Sequence, residues 1–497
     1  MKKTIALLLC LIVLLISVAG CGNRTENGGK GTAANPVATT DSANGTGSSE
    51  QPGDDRDPLR ELPDTDKYEG YKFRVLMRPN AQMITDMFAE ETDGDSVSNA
   101  VYLRNKSLEE KYGVVLELVK SENANADTTG IKPIQAGLDA YDLIAPHGAR
   151  CINYAMSDCC LNWYDLPYLN LTYDWWAQGA RDSFTFSNTL LFMTGDLSHL
   201  STAASYVIVF NKDLLRQHNI DYPYQEVKDG TWTFERMSEI AIDCAFDEDN
   251  DGVCTLDSEK DVLGYVTYPW GGTYCALFAS GTHILSRDEN DMPNVTIASE
   301  TSYDALKKFF DLATGNYAHL DTKDTNPKVN PAVIANRVVF HDTNLITVAS
   351  QFRQTTLNYG ILPYPKTAEV DRYASHVAGA VNVYLIPKTV TDRERTALVL
   401  EYLAQEGHRL VIPPYYESLV TGKSMRDAES YEMLPIISAS RLYDFGYYDS
   451  ELKGIQNLLE QLAKKDRSVT KFYSLYNENI STAQDHLREL IELYSKY

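Results

Sequence analysis

Strand-like runs alternate with amphipathic helical runs from about residue 70 to the C-terminus, and this alternation restricts the chain to α/β architecture. Residues 71–77 (YKFRVLM) predict a first strand. Asp95 predicts the N-cap of a helix that places Val97, Ala100, Val101, Leu108 and Tyr112 on one face. Residues 114–119 and 141–144 predict further strands. Residues 205–210 (SYVIVF) predict a strand that runs straight into a helix start at Asn211-Lys212-Asp213-Leu214-Leu215. Near the C-terminus, Leu452, Ile455, Leu458, Leu459 and Leu462 form one helical stripe, and Ile480, Ala483, Leu487, Leu490, Ile491 and Tyr494 form the next. The 497 residues suffice for two or three domains with buried cores.

The first sixty residues carry a different signal. Lys2 and Lys3 precede an apolar stretch over residues 5–18, and Val18-Ala19-Gly20-Cys21 supplies small residues at its end, the pattern of a secretory signal. These last four residues resemble a bacterial lipobox, in which Cys21 is lipidated and becomes the new N-terminus. Residues 1–20 are therefore expected to be a lipoprotein signal peptide. Residues 21–65 are expected to be a lipid-anchored flexible tether, because residues 22–58 are mainly Gly, Ser, Thr, Asn, Asp and Ala and cannot bury a core. No later stretch is long and apolar enough to span a bilayer, so the lipid is the expected anchor.

Charge excludes one large class of partners. With 45 Lys+Arg against 69 Asp+Glu the net charge is −24, and no basic cluster is available to displace the counterions of a nucleic acid. Tyr, at 32 against 15 Phe, supplies many flat side chains with a polar tip, which suits a wet ligand. Beyond Cys10 and Cys21 six cysteines remain: Cys151, Cys159, Cys160, Cys244, Cys254 and Cys275. Outside the cytoplasm they permit disulfides, Cys151 with Cys159 or Cys160 and Cys244 with Cys254 being the near-neighbour choices. No His lies at ligand spacing to another His or to a Cys pair, which argues against zinc.

Five local patterns occur in a telling order: Val101-Tyr102-Leu103-Arg104-Asn105 with Glu110-Lys111-Tyr112; Tyr141-Asp142-Leu143; Val209-Phe210-Asn211-Lys212-Asp213-Leu214-Leu215; Gly230-Thr231-Trp232-Thr233-Phe234; and Tyr359-Gly360-Ile361-Leu362-Pro363-Tyr364-Pro365. In that order, and with the lipobox, the chain resembles the extracellular solute-binding proteins (family 1, maltose-binding-protein-like) of bacterial ABC sugar importers. The resemblance implies an α/β fold of the periplasmic-binding-protein-like type II, two α/β lobes joined by hinge strands with a ligand cleft between them. It puts the crossings near residues 207–211, 338–341 and 379–384. Lobe 1 is then expected to hold residues 66–205 and 336–381, and lobe 2 residues 206–335 and 382–497.

The sharpest chemical motif runs from Asp247 to Ser258 (DEDNDGVCTLDS) and resembles an EF-hand-type calcium loop. Asp247, Asp249 and Asp251 stand at the first, third and fifth positions, Gly252 allows the turn, and the Val253 carbonyl could supply an oxygen. Ser258 occupies the place of the usual bidentate Glu, leaving Asp257 or Glu259 as a substitute. The expectation is a structural calcium held by Asp247, Asp249, Asp251, Val253 and Asp257, against the plainer reading of a solvated acidic turn. No HExxH, GxSxG, GxxxxGK[ST] or GxGxxG occurs, so no enzymatic reading and no catalytic cofactor has a warrant.

Sugar binding needs aromatic faces against the CH faces of a pyranose and polar groups at its hydroxyls. The candidates are Asp95 and Asn99 after the first strand, Asp196 and His341 beside the expected crossings, Trp270 and Tyr274 around Gly271-Gly272, Tyr384 after the last hinge, and Tyr415 and Tyr416. A helix cap is the competing role for Asp95. Trp175, Trp176 and Trp232 are assigned to packing. The reading is thus a lipid-anchored, monomeric substrate-binding protein on the extracellular face of a bacterial cytoplasmic membrane. It would capture a carbohydrate, an oligosaccharide, for ABC permease subunits. The alternative is a surface glycan-binding adhesin or sensor with the same fold and no transporter.

Overall fold

The computed structural model describes residues 60–91, 94–323, 327–420 and 428–497. Cys21, the signal segment and most of the tether lie outside the described residues. The chain divides after Arg56, and all that follows concerns the unit from Asp57 to Tyr497.

Two sheets organise the fold. In the first, β1 (Lys72–Met77) lies between β2 (Val115–Lys120) and β3 (Leu143–Ala145), all parallel, with Val75 opposite Leu143. The helix Ser96–Tyr112 makes the connection from β1 to β2, as a parallel pair requires. Asp95 starts it, accepting from the Val97 and Ser98 amides at 2.9 and 3.2 Å, and Gly113 ends it at φ +64°, a left-handed conformation suited to glycine. The second sheet contains β4 (Tyr206–Asn211), β5 (Leu263–Thr267), β6 (Ala318–Leu320), β7 (Val338–Asn344) and β8 (Tyr359–Leu362) in the order β6-β5-β7-β4-β8. β7 and β8 both pair antiparallel with β4, while β5 pairs parallel with β6 and β7. Every residue of β4 is buried, which explains its unbroken apolar run.

These pairings show which sheet the strands at the expected crossings join. Residues 338–344 do not return to the first sheet; β7 bonds to β4 from Phe340–Phe210 to Asn344–Tyr206. The return comes later. Val377 bridges Ser205, Asn382 bridges His147, Tyr384 bridges Met193 and Leu385 bridges Ile144, so the extended segment around residue 380 runs beside the first sheet. The helix Arg393–Leu410, expected in lobe 2, packs on Ser96–Tyr112. Gly407 permits its close approach to residue 196, since a Cβ there would fall 1.9 Å from the Asp196 carbonyl oxygen.

Most local expectations agree with the observed elements, with two differences. The stripe over residues 452–462 is helical only at Leu458–Gln461 and the π-helical turn Leu462–Asp466, although Leu452 and Ile455 are fully buried in the preceding turns. The last helix is longer than its stripe, covering Phe472–Tyr494. Trp175, Trp176 and Trp232 are fully buried, and the Trp176 indole donates to Glu401 at 3.1 Å. The six described cysteines are buried and unpaired, so neither near-neighbour disulfide forms. Among the described residues no helix is long and apolar enough to cross a membrane.

Candidate functional site

A cavity of about 220 Å³ draws its walls from both sheets' connections. One wall follows β1, where the short helix Ala81–Thr85, capped by the Asn80 side chain, contributes Gln82 and Thr85. The start of the Ser96–Tyr112 helix adds Asp95, Val97 and Ser98. His199, Leu200 and Ala203 come from the turn before β4; Ile346, Ala349, Ser350 and Arg353 come from the turns after β7. Tyr415 and Ser418 of the helix Ile412–Val420 complete the lining. Ligands in open α/β folds gather where loops leave the strands, and this cavity has that position with respect to β1 and β7.

His199 lines the cavity with a buried carboxylate behind it. Its Nδ1 lies 2.8 Å from Oδ1 of Asp86, which is fully buried. The Ser198 hydroxyl donates to the same carboxylate, the Asn382 amide reaches it at 3.3 Å and the Leu200 N–H at 3.4 Å. Burial alone would raise the Asp86 carboxyl, but His199, the Ser198 hydroxyl and Arg104 outweigh it and hold the group below the usual carboxylate range. Arg104 is itself fully buried, donating to the Leu197 and Met87 carbonyls at 2.7 and 3.3 Å. This frame fixes the imidazole from behind and leaves its other edge for the cavity, beside the Tyr415 ring at 5.2 Å.

Of the nine expected ligand residues, the structure brings Asp95 and Tyr415 together in this cavity. Asp95 is also the helix cap, as its competing role foresaw. Asn99 sits one turn further along the helix, half-buried. Tyr416 is half-buried against the core. Asp196 is buried and accepts from His408 at 2.7 Å, which ties it to the helix Arg393–Leu410. His341 is a core residue, with its Nδ1 3.1 Å from the Val266 carbonyl oxygen. Tyr384 is fully buried, and its backbone exchanges hydrogen bonds of 3.0 and 2.8 Å with Met193.

Trp270 and Tyr274 belong to a separate aromatic group. Trp270 is half-buried and stacks on Tyr268 at 5.1 Å, with the Lys464 ammonium 5.6 Å from its ring. Tyr274 is fully buried, donates to the Gln456 carbonyl at 2.8 Å and stacks on His376 at 5.4 Å. Sequence reasoning missed His199 and Arg353. The only sequence signal for His199 was its place just before the strand expected to start the first crossing.

The acidic loop differs from the expected ligand set. Asp257 pairs with Lys328, and Asp251 accepts from its own loop at the Val253 N–H, 2.9 Å away. Asp261, outside the expected twelve residues, joins Asp247 and Asp249 instead, with one carboxylate oxygen from each lying within 4.8 Å of the others. Gly252 takes φ +93° and donates to Asp247 at 2.8 Å, the sharp turn that its sequence position predicts. The Asp249 carboxyl is lowered by its backbone hydrogen bond with Asp251 but raised overall by partial desolvation and by the charges of Asp251 and Asp247. A divalent cation is suited to such crowded acids.

No protein-family model matches the sequence, and no curated protein matches it. Its structure does match solved ones. An ABC substrate-binding protein from Listeria monocytogenes, in complex with cycloalternan, shares 13% identity at a TM-score of 0.52, covering 84% of this chain and 99% of that one. A cyclo/maltodextrin-binding protein complexed with maltotetraose shares 13% at 0.55, covering 86% and 98%. The maltose/maltodextrin-binding domain from Bdellovibrio bacteriovorus, bound to maltotriose, shares 11% at 0.53, covering 84% and 100%. The chain thus has the periplasmic-binding-protein-like type II fold of these solute-binding proteins.

Proposed function

We propose that this chain is the substrate-binding component of an ABC importer and captures a carbohydrate, in oligosaccharide form, in the cavity between Asp95, His199, Arg353 and Tyr415. The observation that carries the reading is the fold match, which runs almost the whole length of sugar-binding solute receptors. The cavity chemistry supports it: Tyr415 offers a ring, while Gln82, Thr85, Ser98, Ser350 and Ser418 offer hydroxyl-matching donors and acceptors. Lobe 1 is proposed to comprise residues 66–205 and about 376–410, and lobe 2 residues 206–375, with the lobes closing on ligand. The lipobox and tether support lipidation at Cys21 and placement on the extracellular face of the membrane, beside permease subunits. Trp270 is proposed as a second stacking surface for a longer ligand.

A glycan and oligosaccharide panel read by thermal shift tests the assignment. Oligosaccharides are expected to raise the melting temperature, because a ligand that binds only the folded state stabilises it by mass action. A shift with peptides and none with any saccharide would overturn the reading. Binding to immobilised surface glycan, with no transfer to a permease, would favour the adhesin or sensor alternative.

Calcium is proposed as a structural ion held by Asp247, Asp249 and Asp261. Added calcium is expected to stabilise the protein by about 2.7 kcal/mol at a hundredfold excess over its dissociation constant. Asp249→Ala is expected to abolish this gain and to leave saccharide affinity intact. Equal stabilisation of wild type and variant by calcium would remove the site.

A further inference from the structure

We propose that the ligand is acidic: a saccharide bearing a carboxylate, of the uronate class, whose charged group is bound by Arg353 with His199 beside it. This deepens the carbohydrate reading and rests on it.

The argument starts from Arg353. It is half-buried, lines the cavity, and among the described residues its side chain makes no ion pair or hydrogen bond. Several other arginines are engaged, while Arg150, also half-buried and without a side-chain hydrogen bond or ion pair among the described residues, does not line this cavity. Arg74 binds Asp142 and Asp139 at 2.9 and 2.8 Å, Arg395 binds Asp142 at 3.3 Å, and Arg441 donates to Thr202 at 2.8 Å. A chain at −24 has carboxylates to spare, so an unmatched guanidinium held inside a cavity has a partner that comes from outside. Its planar donor fork fits a carboxylate through two parallel charge-assisted hydrogen bonds, a geometry that a sugar hydroxyl cannot reproduce.

The remaining charges permit this. Asp95, His199 and Arg353 are the charged or basic side chains lining the cavity. The Asp95 carboxylate is engaged by the Val97 and Ser98 amides at the positive end of a 17-residue helix, which offsets its repulsion of an anion. The buried Asp86 carboxylate lies behind His199 and holds its ring at the cavity wall, where it offers a ring nitrogen beside Arg353. The volume of about 220 Å³ accommodates one substituted sugar ring, so further rings of a longer ligand extend through the mouth.

The test is calorimetric titration of the full-length protein with glucuronate, galacturonate and their short oligomers, beside the corresponding neutral hexoses and oligomers, at low and high salt. Uronates are expected to bind about tenfold or more tightly than their neutral counterparts, with an advantage that shrinks as salt rises. Arg353→Gln is expected to remove the advantage and Arg353→Lys to keep part of it. Both variants should melt like wild type without ligand, because among the described residues the side chain has no ion pair or hydrogen bond to lose. Equal affinity for neutral and acidic saccharides, or an uronate advantage that survives Arg353→Gln, would overturn the acidic-ligand inference and leave the carbohydrate reading standing. Heat from neither class would overturn both.

Discussion

Acidification between pH 6.5 and about 4 is expected to unfold this protein, and three histidines set the window. His147, His341 and His376 are held neutral in the fold: burial pushes the first two down to about 4 and the third to about 3, with Arg78 adding to the effect at His147. In the unfolded chain the same groups titrate near 6.5. The unfolded state therefore binds more protons as pH falls below 6.5, and stability is lost until the folded values are reached. Each group forfeits about 3 kcal/mol over that range, and together they approach a typical total stability. His283 and His486 do not offset this. Burial would lower them, but Asp444 and Asp449 raise them, so their contribution is complete below 6.5 and is lost only as pH rises through their folded values. Thermal unfolding followed by circular dichroism from pH 7.5 to 4 checks the expectation. His376→Phe keeps a ring between Tyr206 and Tyr274, at 5.6 and 5.4 Å in the native stack, and should blunt the acid loss. A melting temperature flat across the window would contradict the assignment.

Asp342→Asn is expected to stabilise the protein at neutral pH, by about 2–4 kcal/mol. Asp342 is fully buried on β7, and burial, only partly opposed by the Thr267 hydroxyl donating at 2.8 Å, pushes its carboxyl up to about 8. An unfolded Asp ionises near 3.9, so the native state retains a proton that the unfolded state releases. Stability carried by this group is present at low pH and is lost as pH rises from about 4 towards 8. Asparagine matches the neutral acid in shape and has no proton to lose. Wild type and variant should converge near pH 4 and separate steadily above it. A lower melting temperature for the variant at pH 7, or a difference independent of pH, would show that the carboxyl is ionised in the fold. The same proton also opposes the histidines in acid, leaving a net loss of about 3 kcal/mol per pH unit between 6.5 and 4.

The candidate site was legible only in part, and the reason is chain separation. Asp95 could be read because a cap acts on amides two and three residues away. Tyr415 could be named as an aromatic candidate. His199 could not be singled out, since its character comes from Asp86, which lies 113 positions earlier, and from Asn382, which joins the same carboxylate from 296 positions away. The acidic loop shows the same limit at short range. Asp247, Asp249 and Gly252 follow a spacing rule, whereas Asp261 enters the cluster because the chain doubles back between Phe246 and Val262.

Sequence alone determined the α/β class, the strands at β1 and β4, the capped helix between β1 and β2, and the burial of Trp175, Trp176 and Trp232. These follow from periodicity, capping and side-chain volume, which act within a few residues. Tertiary structure decided which sheet each strand joins. An apolar run such as residues 338–341 offers the same backbone donors and acceptors to either sheet. The antiparallel register of β7 on β4 selects one of them, and that choice moves residues 338–362 to the second sheet and brings Ile346 and Arg353 to the cavity.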